Sequence, residues 1–246
     1  MKKFKSMHEY AKYLNCWIRD YLITAKKDGV VLGISGGVDS AVVLALCLMN
    51  KDIKVIARFF NIKNSSLDKK CIKYLETTYK IKIKNVNFKK EVKSITKKLK
   101  IENELAIANI KPRMRMLSLY ALAQQHNALV IGTSNLDELY LGYYTKFGDG
   151  ACDLAPIAHL NKREVYQLAH TLNVPYSIIN RAPSASLYEN QTDEKELDIT
   201  YEEIDNFLDG KKVSRNSLNK IKKWHNASLH KSALLKTPEP FKKRKI

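Results

Sequence analysis

The chain has 246 residues, of which 45% are hydrophobic and 28% are charged, which is the composition of an ordinary globular protein with enough length for one sizeable domain. No apolar run approaches the roughly 20 residues that a membrane span needs, and no apolar signal segment follows the basic first residues, so we expect a cytoplasmic protein without a membrane partner. The 43 basic and 25 acidic residues give a net charge of +18, but only eight of the basic residues are arginines, which does not favour a sequence-specific nucleic-acid partner.

The first predicted element is a helix. Ser6 followed by Glu9 has the pattern of a capping box, and apolar residues at helical spacing continue the helix to about residue 27, with Gly29 as its stop. The same spacing predicts that Cys16 belongs to the core. The four cysteines are scattered singly, so no Cys-x-x-Cys pair indicates zinc or dithiol chemistry.

A glycine- and serine-rich turn follows, between a β-branched run that predicts a buried strand and an apolar segment, residues 41–49, that predicts a helix. Backbone N–H groups at such a junction bind anions, and the positive end of the helix favours them. Glycines let the main chain approach a phosphate, serines add hydroxyl donors, and Asp39 supplies a carboxylate suited to Mg²⁺. This predicted phosphate loop, residues 33–40, consists of Gly33, Ile34, Ser35, Gly36, Gly37, Val38, Asp39 and Ser40.

Two familiar phosphate loops do not fit this turn. The Walker pattern ends in Gly-Lys-Ser/Thr, whereas the last three residues of this loop include no lysine. The Rossmann fingerprint requires glycines at positions one, three and six, which the loop does not supply. The pattern Ser-Gly-Gly-x-Asp-Ser instead resembles the loop of ATP pyrophosphatases, enzymes that split ATP between its α and β phosphates.

The middle of the chain alternates strands and helices. Apolar runs predict strands over residues 53–60, 81–88 and 128–132, and helices over residues 65–79, 89–100 and 102–125, the last one interrupted at Pro112. This alternation predicts an α/β fold, namely a Rossmann-like open parallel sheet with helices on both faces, in a single domain spanning residues 1–246. Ligands bind such sheets outside the carboxyl ends of the strands. Three segments should therefore converge on one crevice: residues 35–40, 58–61 and 133–138.

The C-terminal half begins with a glycine-rich, charged loop over residues 141–156, which is either a surface excursion or a binding loop. Residues 183–198 are polar with little to bury, and we expect them to be mobile. The basic tail, residues 242–246, is expected to be frayed. Helices are predicted over residues 161–171, 201–208 and 214–224.

Further motifs follow the phosphate loop in chain order. They are Asn109-x-x-x-Arg113, Gly132-Thr133-Ser134-Asn135-x-x-Glu138, Gly142-Tyr143-Tyr144-Thr145-Lys146-Phe147-Gly148-Asp149-Gly150-x-x-Asp153, Lys162-x-x-Val165-Tyr166-Gln167-Leu168-Ala169, Pro183-Ser184-Ala185-x-Leu187, Gln191-Thr192-Asp193-Glu194-x-x-Leu197 and His230-Lys231. With these motifs the chain resembles the ammonia-dependent NAD synthetase family, an adenine nucleotide alpha hydrolase-like branch of the ATP pyrophosphatases. The resemblance covers most of the chain, and its small departures are at Ser186, Asp198 and Ser232.

The resemblance implies a ligase that carries out the last step of NAD biosynthesis. The nicotinate carboxylate of deamido-NAD would attack the α-phosphorus of ATP, and ammonia would then displace AMP from the resulting acyl-adenylate. In addition to the phosphate loop, ATP contacts are implied at Thr133, Lys162 and Ser184. Mg²⁺ ligands are implied at Asp39 and Glu138. Deamido-NAD contacts are implied at Arg113, Lys146, Asp153, His230 and Lys231.

Three further expectations accompany this reaction. The resemblance implies a homodimer with the dinucleotide site at the subunit interface, which would suit the apolar residues 114–122. Asp153 is a candidate acceptor for the proton that ammonium must lose. A lid, about residues 182–196, is expected to order over bound ATP and to shield the adenylate from water.

Two other functions use the same kind of loop. A tRNA-modifying adenylating enzyme would suit the net charge of +18, although no cysteine pair for sulfur transfer and no separate RNA-binding module is visible. A nucleotide-binding regulatory protein without turnover would keep the loop and lose the metal carboxylates, yet Asp39 and Glu138 are both present.

Overall fold

A computed structural model describes residues 3–62, 65–183 and 192–232. Four parallel strands form one sheet in the order β3-β2-β1-β4, which confirms the predicted α/β class. The strands are β1 Gly29–Gly33, β2 Lys54–Asn61, β3 Lys84–Asn87 and β4 Ala128–Val130. The helices are α1 Met7–Thr24, α2 Val38–Leu48, α3 Ser66–Tyr79, α4 Lys89–Lys98, α5 Glu104–Gln125, α6 Leu136–Leu141, α7 Lys162–Thr171, α8 Tyr176–Ile179, α9 Asp193–Leu197, α10 Tyr201–Leu208 and α11 Arg215–Ser232.

Alternate residues of β1 belong to two different layers of the core. Val30 and Leu32 pack with buried residues of α1, α2, α3 and α7, whereas Val31 packs with Ala123 of α5 on the other face. This alternation is the two-residue period of a strand that is buried on both sides. A third cluster joins α6, α9, α10 and α11, and the organisation of residues 1–246 as one domain stays a prediction.

Two strands are shorter than the sequence predicts. At the start of the predicted third strand, the N–H of Ile83 donates to the Glu76 carboxylate at 2.8 Å, so this apolar residue is buried without joining the sheet. At the end of β4, Ile131 forms an isolated parallel bridge with Leu154, and the N–H of Gly132 donates to the Leu154 carbonyl at 2.7 Å. A later segment of the chain therefore completes this edge of the sheet.

The predicted interruption of α5 is wrong. The helix runs continuously through Pro112, which is buried, although an interior proline costs about 3 kcal/mol relative to alanine. An ideal Cβ at Gly148 would lie 3.0 Å from the Pro112 Cβ, so the loop packs closely on this part of the helix. Tertiary packing therefore overrides the local preference.

Other corrections concern the ends of the chain. Cys16 is exposed rather than part of the core. The Glu9 carboxylate accepts from the backbone N–H of Lys5 at 2.7 Å, whereas a capping box would have it accept from the backbone N–H of the cap residue, Ser6.

The segment predicted to be mobile, residues 183–198, includes helix α9. Asp193 and Leu197 of this helix are buried, so this part of the segment has more to bury than its composition suggests. No helix within the described ranges is long and apolar enough to cross a membrane.

Gly142 provides a stability test with a matched control. Its φ of +64° is left-handed, and a Cβ there would overlap the Cβ and Oγ of Ser228. Gly210 has a φ of +74° with nothing within 4 Å of its ideal Cβ. Both Gly→Ala changes impose the left-handed cost, but only Gly142→Ala adds overpacking, so we expect it to lower the free energy of unfolding by about 1–3 kcal/mol more than Gly210→Ala.

Denaturant unfolding of both variants measures this difference. The double variant Gly142→Ala/Ser228→Gly removes the overlapping atoms and should recover part of the loss. Equal destabilisation by the two alanines would contradict the packing argument.

Candidate active site

The phosphate loop, residues 33–40, connects β1 to α2 and is held by its own hydroxyl groups. The N–H of Gly37 donates to Ser35 Oγ at 3.1 Å, and the N–H of Ser35 donates to Ser40 Oγ at 3.2 Å. Ser40 Oγ in turn donates to the Gly37 carbonyl at 3.0 Å. Gly36 has a left-handed φ of +87°, and an ideal Cβ there would lie 3.2 Å from the Cys71 Cβ. The loop is therefore preformed, with the N-terminus of an 11-residue helix behind it.

Three strand ends meet in one pocket, which confirms the predicted convergence. The pocket is lined by the phosphate loop after β1, by residues 59–62 at the end of β2, and by residues 130–134 with Glu138 after β4. Thr133, an expected ATP contact, is among them. The chain passes from β1 to β2 in one direction along the sheet and reaches β4 on the other side. The pocket thus lies at a topological switch point, the usual ligand site of such sheets.

Lys162 is the cation that pairs with the carboxylates of this site. Its side chain is 2% exposed, and its Nζ lies 2.8 Å from Asp39 Oδ2 and 4.0 Å from Glu138 Oε1. The side-chain amide of Asn135 donates to Asp39 Oδ1 at 3.0 Å. The same Nζ lies 4.8 Å from the centre of the Tyr201 ring. A buried ammonium thus bridges the two carboxylates that the resemblance implies as metal ligands.

These charges change one another's proton affinity. Burial alone would lower the pKa of Lys162, but Asp39 and Glu138 together raise it above its ordinary value. Burial, and then the charge of Asp39, raise the pKa of Glu138 well above its ordinary range, although Lys162 opposes this effect. The lysine therefore stays charged, and its charge favours the ionised form of Glu138 against the effect of burial.

Asp39 and Glu138 fit a magnesium ion. The described ranges contain no group of three or more His, Cys, Asp or Glu side chains that could hold a metal. Mg²⁺ in phosphate-transfer sites is commonly held by one or two carboxylates together with substrate phosphates, which matches this pair. The ammonium of Lys162 between them shows that this position attracts a cation.

Four of the expected deamido-NAD contacts form a second cluster, which we call the basic cluster: Arg113, Lys146, His230 and Lys231. Arg113 Nε lies 3.4 Å from the Lys146 carbonyl, and Lys146 Nζ donates to the His230 carbonyl at 2.5 Å. Lys231 Nζ donates to the carbonyls of Gly142 and Tyr144 at 2.7 and 2.9 Å. The cluster therefore joins the end of α11 to the loop that follows α6.

Asp153 belongs neither to the pocket lining nor to the basic cluster. Its carboxylate accepts from the Val130 N–H at 2.8 Å and from the Tyr120 hydroxyl at 3.3 Å. Its predicted role as a proton acceptor therefore stays a prediction. Ser184, with most of the predicted lid, lies outside the described residues, as does the basic tail.

The sequence interpretation missed three carboxylates beside Lys162. Asp193 is buried and accepts from the Tyr143 and Tyr201 hydroxyls at 3.2 and 3.0 Å. Asp137 and Asp205 both accept from the Lys162 backbone N–H, at 2.9 and 3.1 Å. The acidic first turns of α6 and α9 were the available signal for Asp137 and Asp193, and no such signal existed for Asp205 within α10. Nothing local indicates that these carboxylates meet at α7.

The Asp137–Asp205 pair predicts a pH effect on stability. Burial, and then the neighbouring Asp205, raise the pKa of Asp137 from 3.8 to about 8. The folded protein keeps a proton on Asp137 that the unfolded chain has lost above about pH 4, so stability should fall as the pH rises towards about 8. Asp137→Asn mimics the protonated carboxyl and should reduce this slope in unfolding experiments between pH 5 and pH 8.

Glu138 contributes a slope of the same sign, so the effect should be reduced rather than abolished. The exposed Asp20→Asn should leave the slope unchanged. A variant Asp137→Asn with the full wild-type slope would contradict a proton on Asp137.

Comparisons with known proteins agree with this geometry. A family model described as NAD synthase matches residues 10–243. The chain is 45% identical over 242 residues to the NH(3)-dependent NAD(+) synthetase of Mesoplasma florum, covering 97% of this chain and 99% of the relative. It is 44% identical to that of Mycoplasmopsis pulmonis, covering 96% and 93%. A solved NMN synthetase structure from Francisella tularensis superposes with a TM-score of 0.91 at 39% identity, covering 96% of this chain and 99% of that one.

Proposed function

Because this chain belongs to the NAD synthase family, we propose that its pocket joins ammonia to deamido-NAD at the expense of ATP, giving NAD, AMP and pyrophosphate. The observation that carries the proposal is the preformed phosphate loop at the switch point of the sheet, with its Asp39 and the nearby Glu138 both within reach of the Lys162 ammonium. The enzyme is thus a carbon–nitrogen ligase.

The first step activates a carboxylate. A nicotinate oxygen forms a bond to the α-phosphorus of ATP while the bond to the β-phosphate breaks, and pyrophosphate leaves with the electron pair. The loop N–H groups and the positive end of α2 would hold this pyrophosphate. Because the attacking carboxylate is already ionised, the main tasks of the chain are positioning and charge stabilisation.

The second step forms the amide. Ammonia attacks the acyl carbon, the carbon–oxygen bond to the phosphate breaks, and AMP leaves with the electron pair. Ammonium must lose one proton before it attacks, for which Asp153 stays the candidate acceptor, and the nitrogen loses a second proton as the amide forms. A bound Mg²⁺, held by Asp39 and Glu138, would neutralise charge on the phosphates. Thr133, Lys162 and Ser184 would contact ATP.

The basic cluster is proposed to hold deamido-NAD. Arg113, Lys146 and Lys231 carry positive charge and lie with His230 next to the loop of residues 142–150, whose far end also lines the pocket. A dinucleotide with two phosphates would suit such a surface, with its pyridine end reaching the phosphate loop.

A homodimer is part of the same proposal. Helix α5 is apolar around much of its circumference, yet Leu105 and Leu117 are 56% and 62% exposed in one chain. A second copy packed on this helix would remove these side chains from water. Sedimentation should therefore give twice the chain mass of 28.2 kDa, and a monomer would contradict the dimer. The cytoplasmic location expected from the sequence remains part of the proposal.

One comparison supports a second candidate substrate. The Francisella structure carries the name of an NMN synthetase, an enzyme for which the acceptor would be nicotinate mononucleotide rather than the dinucleotide. The chemistry at the carboxylate is the same. The tRNA-modifying and regulatory alternatives gain no comparable support, because the matched relatives are synthetases across nearly the whole chain.

The decisive assay offers ATP, Mg²⁺ and ammonia with either nicotinate nucleotide. We expect formation of AMP that depends on deamido-NAD and yields NAD in equal amount, with a lower kcat/KM for nicotinate mononucleotide. A higher kcat/KM for the mononucleotide would move the assignment to NMN synthesis. No product with either nucleotide would refute the proposed function.

A further inference from the structure

Helix α5 forms one wall of the pocket, and the arginine that lines this wall is Arg115 rather than Arg113. Pro112, Arg115, Met116 and Leu119 all line the pocket, and their spacing of three, four and seven residues places them on one helix face. Arg113 lies two positions before Arg115, on another face, where it is exposed and contacts the Lys146 carbonyl. Arg115 is therefore the arginine of this helix that faces the phosphate loop's pocket.

Within residues 3–62, 65–183 and 192–232, Arg115 makes no hydrogen bond and no ion pair. The two carboxylates whose charges reach it already have closer partners. Asp149 accepts from the Thr145 N–H at 2.9 Å, and Asp68 pairs with Arg181 at 2.6 Å. Removal from water lowers the pKa of Arg115, and these two carboxylates only partly oppose that effect.

A charged guanidinium in this position lowers the stability of the folded protein. Arg115 is half-buried, its N–H donors gain no acceptor among the described residues, and partial removal of an unpaired charge from water destabilises the folded state. The fold therefore keeps an unsatisfied cation at the wall of a pocket that the proposed function fills with anions. An anionic ligand would supply the missing acceptors.

We propose that Arg115 binds an oxyanion of the reacting substrates, either the nicotinate carboxylate or the α-phosphate of ATP, from the α5 side of the pocket. This inference rests on the proposed function. The carboxylate and the α-phosphate become one acyl phosphate, so both sources present the same chemistry at nearly the same place.

The type of side chain suits this role. A guanidinium offers a planar fork that binds carboxylate or phosphate through two parallel hydrogen bonds, which a lysine cannot reproduce. Met116 and Leu119, which line the same wall, offer apolar surface for a flat ring beside the charge. The phosphate loop leads into α2, which packs on the sheet face opposite α5, so Arg115 approaches the reacting atoms from a different side than the loop.

Calorimetric titration of full-length Arg115→Met with each substrate alone tests the inference. We expect affinity to fall by about 10- to 100-fold for the substrate whose oxyanion Arg115 binds. A loss with MgATP alone identifies the α-phosphate as the source, and a loss with deamido-NAD alone identifies the carboxylate. Arg115→Lys keeps the charge without the fork and should lose less. Dissociation constants within twofold of wild type for both substrates would overturn the inference.

A structural effect of the substitution can be separated from a binding effect. Removing an unpaired, half-buried cation should leave the free energy of unfolding equal or higher. If Arg115 had only a structural role, its removal would lower the free energy of unfolding and would not weaken the binding of one substrate selectively. The exposed Arg215→Met at the start of α11 is the matched control and should bind both substrates normally. If the wild type makes no NAD, the proposed function fails; if it makes NAD and Arg115→Met binds both substrates normally, only this inference fails.

Discussion

Replacing Lys162 with methionine is expected to lower the free energy of unfolding by about 3–5 kcal/mol and turnover by about 10²–10³-fold. The side chain is 2% exposed and lies 2.8 Å from Asp39. Without its ammonium, the carboxylates of Asp39 and Glu138 repel each other in a desolvated site, and ATP loses a positive charge next to its phosphates. Denaturant unfolding and steady-state kinetics at saturating MgATP measure the two effects.

An exposed ion pair provides the control for this substitution. Lys211 lies 3.0 Å from Asp209 with 58% of its side chain exposed, and such pairs contribute less than about 1 kcal/mol. Lys211→Met should therefore change neither stability nor turnover appreciably. The double variant Lys162→Met/Asp39→Asn should regain part of the stability, because it removes one of the repelling charges, while remaining inactive. A fully active Lys162→Met would contradict a role for this lysine in the site.

Asp39→Asn is expected to reduce turnover by a similar factor of about 10²–10³ while costing less stability. The amide keeps one oxygen that can accept from Asn135 or from Lys162, which bond the two carboxylate oxygens of Asp39, and Lys162 still has Glu138 nearby. The lost carboxylate should also raise the Mg²⁺ concentration that gives half-maximal activity, because one of two anionic ligands is gone.

Titration of activity with Mg²⁺ at fixed ATP measures that shift, with the exposed Asp20→Asn as control. A folded Asp39→Asn that turns over at the wild-type rate would refute the proposed metal ligands.

Much of this architecture follows from local sequence. The phosphate loop could be recognised because the glycines, the hydroxyls and Asp39 lie within eight residues, and helix α10 was predicted with its observed ends. Caps are local in the same way: Asn161 and Glu164 form a reciprocal capping box within four residues. Such features depend on neighbours in the chain, which the sequence displays directly.

Features that depend on distant residues could not be predicted in this way. Nothing near Lys162 indicates that its ammonium reaches Asp39, 123 residues earlier. Arg115 could have been separated from Arg113 only by knowing which face of α5 meets the sheet, and that face has no clear apolar signature because the helix is apolar nearly all round. The start of β3 was misplaced because the Glu76 side chain accepts the hydrogen bond from Ile83 that a strand would otherwise use. The end of β4 was misplaced because the later segment around Leu154 pairs with Ile131.

The 123-residue separation between Asp39 and Lys162 also has a consequence for the order of folding. Contacts between residues close in sequence form early, whereas closing a long chain segment has an entropic cost that delays such a contact. The phosphate loop can form while the chain is still being synthesised, but its counter-charge arrives only when α7 packs against α2. A partly synthesised chain therefore carries the phosphate loop without Lys162. The ion pair between Asp39 and Lys162, and with it the complete site, forms late in folding.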